Sequence, residues 1–299
     1  MTGTVVTVGS FDGVHRGHQA VLAEIVRRAR ARGRASLLVT FDRHPLAVVN
    51  PPAAPKLLTL PAEKREILAQ TELDRVAELA FTPELARLEP DAFVRQVLRA
   101  RFGMEELVLG YDHSFGRGRA GDVEVVRRLG AADGFAVDVV DAVREDGQPI
   151  SSTLVRAALA HGNLDAAARW LGRPYSLLAT VEHGAGRGRT IGVPTINLRA
   201  EERKLLPPDG GYAVRVSCRA GSFGGMMNQG PRPTFGVAER GLEIHLFGFA
   251  GQLYGEPVKV EWVQRLRDVR TFPSGEALAE QLARDAQDAR DTLNLSRVE

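Results

Sequence analysis

Along the first part of the chain, short apolar runs alternate with longer stretches whose apolar residues recur every three to four positions. The runs TVVTV (4–8), ASLLVTF (35–41), RVAELAF (75–81), LVLG (107–110) and FAVDVV (135–140) predict strands. Between them, HQAVLAEIVRRARARG puts Val21, Leu22, Ile25, Val26 and Ala29 on one helical face, with Gly33 placed to end the helix. PAEKREILAQTEL predicts a second helix with Pro61 in its first turn, and PDAFVRQVLRARF and DVEVVRRLGAA predict two more. Strands that take turns with helices imply an α/β unit whose parallel sheet is covered on both faces. Such a sheet binds ligands beyond the carboxyl ends of its strands, so chemistry is expected in those loops.

From Tyr175 the rhythm changes. YSLLATVEHG, GYAVRVSC, LEIHLFGFA and EPVKVEWVQRL predict short strands separated by Gly, Pro and Asp turns. One helix follows, SGEALAEQLARDAQDARDTL, with Ser274 as its cap. This pattern predicts a small antiparallel β-barrel with a terminal helix. The join falls near WLGRPY, giving expected domains of residues 1–171 and 172–299.

Composition changes this picture little. Of 299 residues, 44% are hydrophobic and 25% charged, which fits a globular protein. The 39 basic and 37 acidic residues give a net charge of +2, no signature of a polyanion partner. A single cysteine, Cys218, excludes internal disulfides and Cys-rich metal sites. No apolar run is long enough to span a membrane and the start lacks the pattern of a signal peptide, so a cytoplasmic protein is expected. The arginine-rich RRARARGR (27–34) is read as a solvated helix end, where cations suit the dipole, in preference to a nucleic-acid patch.

The first candidate chemistry is GSFDGVHRGH (9–18), at the turn from strand to helix. A helix N-terminus offers free N–H groups and partial positive charge to phosphates, and Gly13 and Gly17 let a ligand approach the backbone. His15 and His18 could then stabilise charge growing on a phosphate under attack. Alone, the pair also fits two surface residues or part of a metal site, although no third ligand is evident nearby.

GSFDGVHRGH resembles the H-x-G-H signature of the nucleotidyltransferase superfamily, in the form carried by bacterial FAD synthetases. ISSTLVRAAL (150–159) resembles that superfamily's second signature, I-S-S-T-x-x-R. The resemblance implies a Rossmann-like nucleotidyltransferase domain, with His15 and His18 catalytic. ATP and its phosphates would be held by Gly9, Phe11, Gly17, Ser151, Ser152, Thr153 and Arg156. TFDRHP resembles T-F-x-P-H-P and LGYDHSFGRGRAGD resembles G-x-D-F-x-F-G, implying flavin contacts from His44, Asp112 and Phe115. Arg43, His113, Ser114 and Leu154 depart from the family pattern.

The second candidate is GAGRGRTIGVPTINL (184–198). A Gly-rich loop can wrap backbone N–H groups around phosphates. Leading into a strand and not a helix, it is no dinucleotide-binding fingerprint. Thr195 and Asn197 fall on one side of an extended segment, where a hydroxyl and an amide oxygen suit a hard cation. A hairpin with a polar face accounts for the stretch equally well. However, this run, MMNQGPRPTFG, LEIHLFGFAGQLYGEPVKVEW and RLRDVRTFPSGEAL together resemble successive motifs of riboflavin kinases. The resemblance implies Mg²⁺ ligands in Thr195 and Asn197, phosphate contacts from Gly186, Arg187, Gly188, Arg189 and Asn228, and flavin contacts from Arg267 and Asp268. Glu243 would be the general base, although a solvent-facing edge-strand Glu fits the same position. Asp268 and Arg270 stand where the family commonly has Glu and Lys.

The expected protein is therefore a bifunctional flavin enzyme. ATP, riboflavin and FMN would be its substrates, FAD its product and Mg²⁺ its cofactor. It is expected to be a monomer or weak homo-oligomer with no nucleic-acid or membrane partner. A different adenylyltransferase fused to an unrelated barrel has no use for P-T-x-N or E-I-H-L. A flavin-binding regulator without catalysis would not need His15, His18, Arg156, Thr195, Asn197 and Glu243 together.

Overall fold

Every residue of β1 (Thr4–Val8) is buried, as expected of a strand covered on both faces. The computed structural model describes residues 3–111, 115–183, 193–231 and 240–295. β1 pairs in parallel with β2 (Ala35–Phe41) and β4 (Met104–Gly110). Outside these, β3 (Arg75–Leu79) pairs with β2 and β5 (Ala136–Val140) with β4, giving the order β3-β2-β1-β4-β5. Alternate residues serve opposite faces. Val6, Val8, Leu37, Val39, Leu107 and Leu109 pack with Phe93, Val94, Leu98 and Val126. Val5, Leu38 and Val108 pack on the other side with Val21, Leu22, Ile25, Ala29 and Leu68.

The helix Arg16–Ala31 buries the five residues its spacing predicts, and Gly33, at φ 61°, turns the chain after its end. Two helices differ from expectation. The one starting at Pro61 ends at Leu68, not Leu73, because the Thr71 hydroxyl donates to the Leu68 carbonyl (2.6 Å) and stops the ladder. The stretch 90–102 is helical, but Phe93–Arg99 within it is π-helical and turns Phe93, Val94 and Leu98 inward. A short hairpin of β6 (Arg144–Glu145) and β7 (Gln148–Pro149) leads to the helix Ser152–Ala160.

Packing divides the chain into Met1–Leu154 and Val155–Glu299. In the second unit, six antiparallel strands close a barrel in the order β10-β11-β12-β9-β8-β13. These are β8 (Tyr175–Glu182), β9 (Ile196–Leu198), β10 (Gly210–Cys218), β11 (Gly221–Pro231), β12 (Arg240–Leu246) and β13 (Pro257–Arg267). Of these, β11 is not predicted by the hydrophobic pattern of the chain. Its GSFGG start has too little side chain to show alternation, yet it pairs with both neighbours. Tyr212, Val214, Leu242, Ile244, Val260 and Trp262 are buried, and the Trp262 indole donates to the Gln229 amide oxygen (3.2 Å).

The helix Leu164–Leu171 packs on β8 and β13. The terminal helix Gly275–Thr292 packs on the outer surface of β10, β11 and β13, as Ala289 and Leu293 meet Ala213, Met226 and Phe247. Ser274 caps it, accepting from the Ala277 N–H (3.3 Å).

Candidate active sites

The loop after β1 builds the first site. Gly9 extends the β1 ladder, its N–H donating to the Val39 carbonyl (3.0 Å), and the chain then turns sharply through Phe11, Gly13 and Val14. His15 is the N-cap of the Arg16–Ala31 helix, and its Nδ1 accepts the His18 backbone N–H (3.3 Å). That bond fixes the tautomer with the proton on Nε2, a donor suited to an oxyanion. The two imidazoles stack at 3.7 Å, and Phe11 lies 4.6 Å from the His18 ring. Gly17 leaves room for this arrangement: a Cβ there would sit 3.2 Å from the His15 ring and 3.4 Å from the Ile150 carbonyl oxygen.

The second signature lies against the first. Ser151 caps the Ser152–Ala160 helix by accepting the Leu154 N–H (3.2 Å), and the Ser152 hydroxyl donates to the Asp12 carbonyl (2.9 Å). Thr153 is exposed, and Arg156 lies one turn further along the same helix. Two helix starts thus lie beside one loop, and free N–H groups at a helix start attract anions.

His44 lines a small cleft with Ser10, Asp12, Phe41, Asp42, Arg43, Thr59 and Lys64. Its Nδ1 accepts the Leu46 N–H (3.2 Å), and Arg43 pairs with Asp42 (3.1 Å). Phe115 is packed on Phe93 (5.5 Å) in the core of the sheet. Asp112, His113 and Ser114 lie outside the described residues, as do Gly186, Arg187, Gly188 and Arg189. Sequence reasoning passed over Asp12, Thr59 and Lys64, which bind the loop from below. The Asp-Gly pair of the motif was the one signal available for Asp12.

In the barrel, register gathers the second site. Asn197 on β9 is opposite Glu182 on β8 and Glu243 on β12, and Glu243 is opposite Asn228 on β11. Asn228 is opposite Gly211 on β10, and Gly211 is opposite Arg267 on β13. Residues opposed in this way share a face. Leu242 and Ile244 are fully buried while Glu243 and Asn228 are exposed, so the row faces away from the barrel core, with Asn197 at its β9 end covered (7% exposed). His245 Nδ1 donates to the Pro194 carbonyl (2.8 Å), tying the segment that carries Thr195 and Asn197 to β12. Arg267 lies over Gly211, where a Cβ would come within 3.1 Å of its Cγ, and reaches Asp285 of the terminal helix through Nε and Nη2 (2.8 and 2.7 Å). Asp268 takes Arg265 (2.7 Å) and is largely exposed.

Known proteins match each half separately. A family model described as FAD synthetase matches residues 1–154, and one described as riboflavin kinase matches residues 171–293. A bifunctional riboflavin kinase/FMN adenylyltransferase of Pseudomonas fluorescens is 39% identical over 96% of this chain and 92% of its own. One from Escherichia coli K12 is 36% identical over 99% and 94%.

The chain belongs to the bifunctional riboflavin kinase/FMN adenylyltransferase family.

A solved structure titled a macrolide-efflux protein, from Streptococcus pneumoniae, superposes with a TM-score of 0.88 at 32% identity, covering 97% of this chain and 94% of that one. Within the family, riboflavin kinase activity belongs to the barrel unit and FMN adenylyltransferase activity to the α/β unit. ATP, riboflavin and FMN are accordingly the small-molecule substrates, and reactions of this kind use a divalent metal. Among the described residues no group of three His, Cys, Asp or Glu side chains could hold a metal by itself. The hydroxyl and amide oxygens of Thr195 and Asn197 are donors of the kind a hard cation takes. No helix among the described residues is long and apolar enough to cross a membrane.

Proposed function

We propose that His15 and His18 carry adenylyl transfer and that Thr195, Asn197 and Glu243 carry the kinase reaction. What supports both assignments is that each half brings its separate signature segments side by side. In the α/β unit Ser152 bonds to Asp12 (2.9 Å), and in the barrel Asn197 and Glu243 are direct cross-strand neighbours.

In the barrel, Glu243 accepts the proton of the riboflavin 5′-hydroxyl as that oxygen attacks the γ-phosphorus of ATP, giving FMN and ADP. Asn228 and the Gly186–Arg189 loop hold phosphates, and Arg267 and Asp268 border the flavin. Thr195 and Asn197 would hold the metal, Mg²⁺, which would neutralise phosphate charge when bound.

In the α/β unit an oxygen of the FMN phosphate attacks the α-phosphorus of ATP, and pyrophosphate leaves. The His15 and His18 rings donate to the phosphate oxygens as charge builds, and neither forms a covalent bond. Gly9, Phe11 and Gly17 let ATP reach the helix start. Ser151, Ser152, Thr153 and Arg156 hold its outer phosphates, while His44 and Asp112 contact the flavin; Phe115, expected among those contacts, is instead packed on Phe93 in the core. The boundary between the activities falls after Leu171, supported by the kinase match that starts at residue 171. The protein works in the cytoplasm as a monomer or weak homo-oligomer. Arg27, Arg28, Arg30, Arg32 and Arg34 each pair with a carboxylate, which supports reading that run as a helix end and not as a polyanion site.

The test is one incubation with riboflavin, ATP and Mg²⁺, with flavins separated over time. FMN should appear first and FAD follow. His18→Ala should stop the sequence at FMN, and Glu243→Gln should leave riboflavin unconverted while supplied FMN still becomes FAD. Full activity in either variant rejects that residue's assignment.

A further inference from the structure

The loop after β1 is held in an unfavourable shape. Phe11 and Val14 have φ of 47° and 41°, a region that side-chain-bearing residues seldom enter and that is worst for a β-branched one. Such a conformation persists only where its surroundings over-determine it. Here Ser152 and Gln19 hold the loop at the Asp12 and Val14 carbonyls, and residues 57–64 hold it at several more points. At one end, the Asp12 carboxylate accepts the backbone N–H groups of Leu58 (3.0 Å) and Thr59 (2.9 Å) and the Thr59 hydroxyl (3.2 Å). The Thr59 oxygen in turn accepts the Gly13 N–H (3.0 Å). At the other end, the Lys64 ammonium, 7% exposed, donates to the Ser10 carbonyl (3.2 Å), the Thr40 hydroxyl (3.0 Å) and the Phe41 carbonyl (2.9 Å). Thr40 also donates to Ser10 (3.2 Å), and Glu63 ties the segment to itself by accepting the Leu60 N–H (2.8 Å). The segment therefore grips the chain on both sides of Phe11, whose ring backs His18.

We propose that Lys64 is a positioning residue of the adenylyl-transfer site: together with Thr59 it fixes the Ser10–Val14 backbone, and so the arrangement of His15 and His18. The inference rests on the assignment of those two histidines to the ATP phosphates. An ammonium suits the task because its three N–H groups meet three acceptors, where a neutral amine has only two to offer. Burial favours the neutral form, whereas Asp12, Asp42 and Glu78 favour the charged one and Arg65 opposes it. Lys64 therefore loses its proton at a lower pH than an exposed lysine, and with the proton goes one of its three bonds. Adenylylation should fall along that alkaline limb, while riboflavin phosphorylation should not follow it.

The test measures both activities of the full chain in Lys64→Met, in Thr40→Val and in His18→Ala. Lys64→Met should lower kcat for FMN adenylylation by about 100-fold, the scale of a small misplacement of reacting groups. Thr40→Val, which deletes one acceptor of Lys64 and the Thr40 bond to Ser10 with little change of volume, should lower it by about tenfold by the same argument. In both, KM for ATP and FMN should hold, riboflavin phosphorylation should be unchanged, and Lys64→Met should lose the alkaline limb. A raised KM with kcat intact would make Lys64 a ligand contact and overturn the proposal, as would wild-type adenylylation in Lys64→Met. If Lys64→Met does not fold, by thermal unfolding, Lys64→Gln, which keeps a polar head at the site, decides in its place: lowered kcat with KM held supports the proposal, and wild-type adenylylation overturns it. Should His18→Ala adenylylate FMN normally, the assignment beneath the proposal fails, a result distinct from a silent Lys64 beside an essential His18.

Discussion

Glu106 sits on β4 with its side chain wholly out of water, bonded to Arg28 (2.8 Å) and paired with Arg32. Arg28 also meets Glu24 (2.6 Å) and Asp138, so one guanidinium joins the first helix to β4 and β5. A buried carboxylate is stable only while its cations stay, and removing one partner of such a group costs about 3–5 kcal/mol. Glu106→Gln should therefore destabilise the α/β unit in urea titrations, by less than that because Arg28 keeps Glu24 and Asp138, while Glu106→Leu should cost less still because no polar group is left on β4. Equal losses in the two variants would show that packing, not charge, is the source. Glu24 gives a pH-dependent counterpart on the same helix. Its hydrogen bond to Arg27 holds its carboxyl down to about 2, with Arg28 assisting and burial opposing. The folded value lies below the ordinary one near 4.5, so this contribution is present above pH 4.5 and fades as pH falls towards 2. Denaturation midpoints followed down through that window should show a shallower acid slope in Glu24→Gln than in the parent. These partners were not legible in RRARARGR, since Glu105, Glu106 and Asp138 come from strands far along the chain.

At the scale of elements, the terminal helix depends on one buried ion pair. Arg267 bonds Asp285 through Nε and Nη2, Gln281 donates to the same carboxylate (2.8 Å), and Gly211 gives the Arg267 side chain its path across β10. The helix lies beside the row of Asn228 and Glu243, so loosening it should disturb the kinase site first. Asp285→Asn should reduce riboflavin phosphorylation and leave adenylylation of supplied FMN unaffected, measured on the same preparation. Ser274→Ala, which removes only the cap, should cost about 1 kcal/mol of stability and little activity. An equal fall of both activities in Asp285→Asn would mean that general unfolding, and not the kinase site, is responsible. Elements with strong periodicity were legible throughout: both long helices, all five strands of the sheet and β8, β10, β12 and β13. β11 was not, because its glycines carry no pattern, and the early end at Leu68 turned on one Thr71 hydroxyl. In the candidate sites the motif residues were legible, but the grip of Asp12, Thr59 and Lys64 was not. Those three meet through tertiary hydrogen bonds that leave no spacing rule in the sequence.

At the scale of the molecule, two units with separate cores carry two reactions that share one compound. FMN leaves the barrel's reaction and enters that of the α/β unit, and each unit matches its own family model. If the sites are independent, FMN made on one copy serves any other. On the proposed assignments, His18→Ala should make FMN without using it, and Glu243→Gln should use FMN without making it. A mixture of the two variants should then convert riboflavin to FAD, after a lag during which free FMN accumulates. The rate should rise when more Glu243→Gln protein is added and fall on dilution, because the encounter is bimolecular. Free FMN should reach the concentration at which adenylylation keeps pace with its supply, and an added FMN-binding protein should intercept it. FAD formed by the parent protein without any free FMN, and resistant to that trap, would show instead that the intermediate passes between the sites without release. In that case the mixture should fall far short of the parent at equal protein concentration.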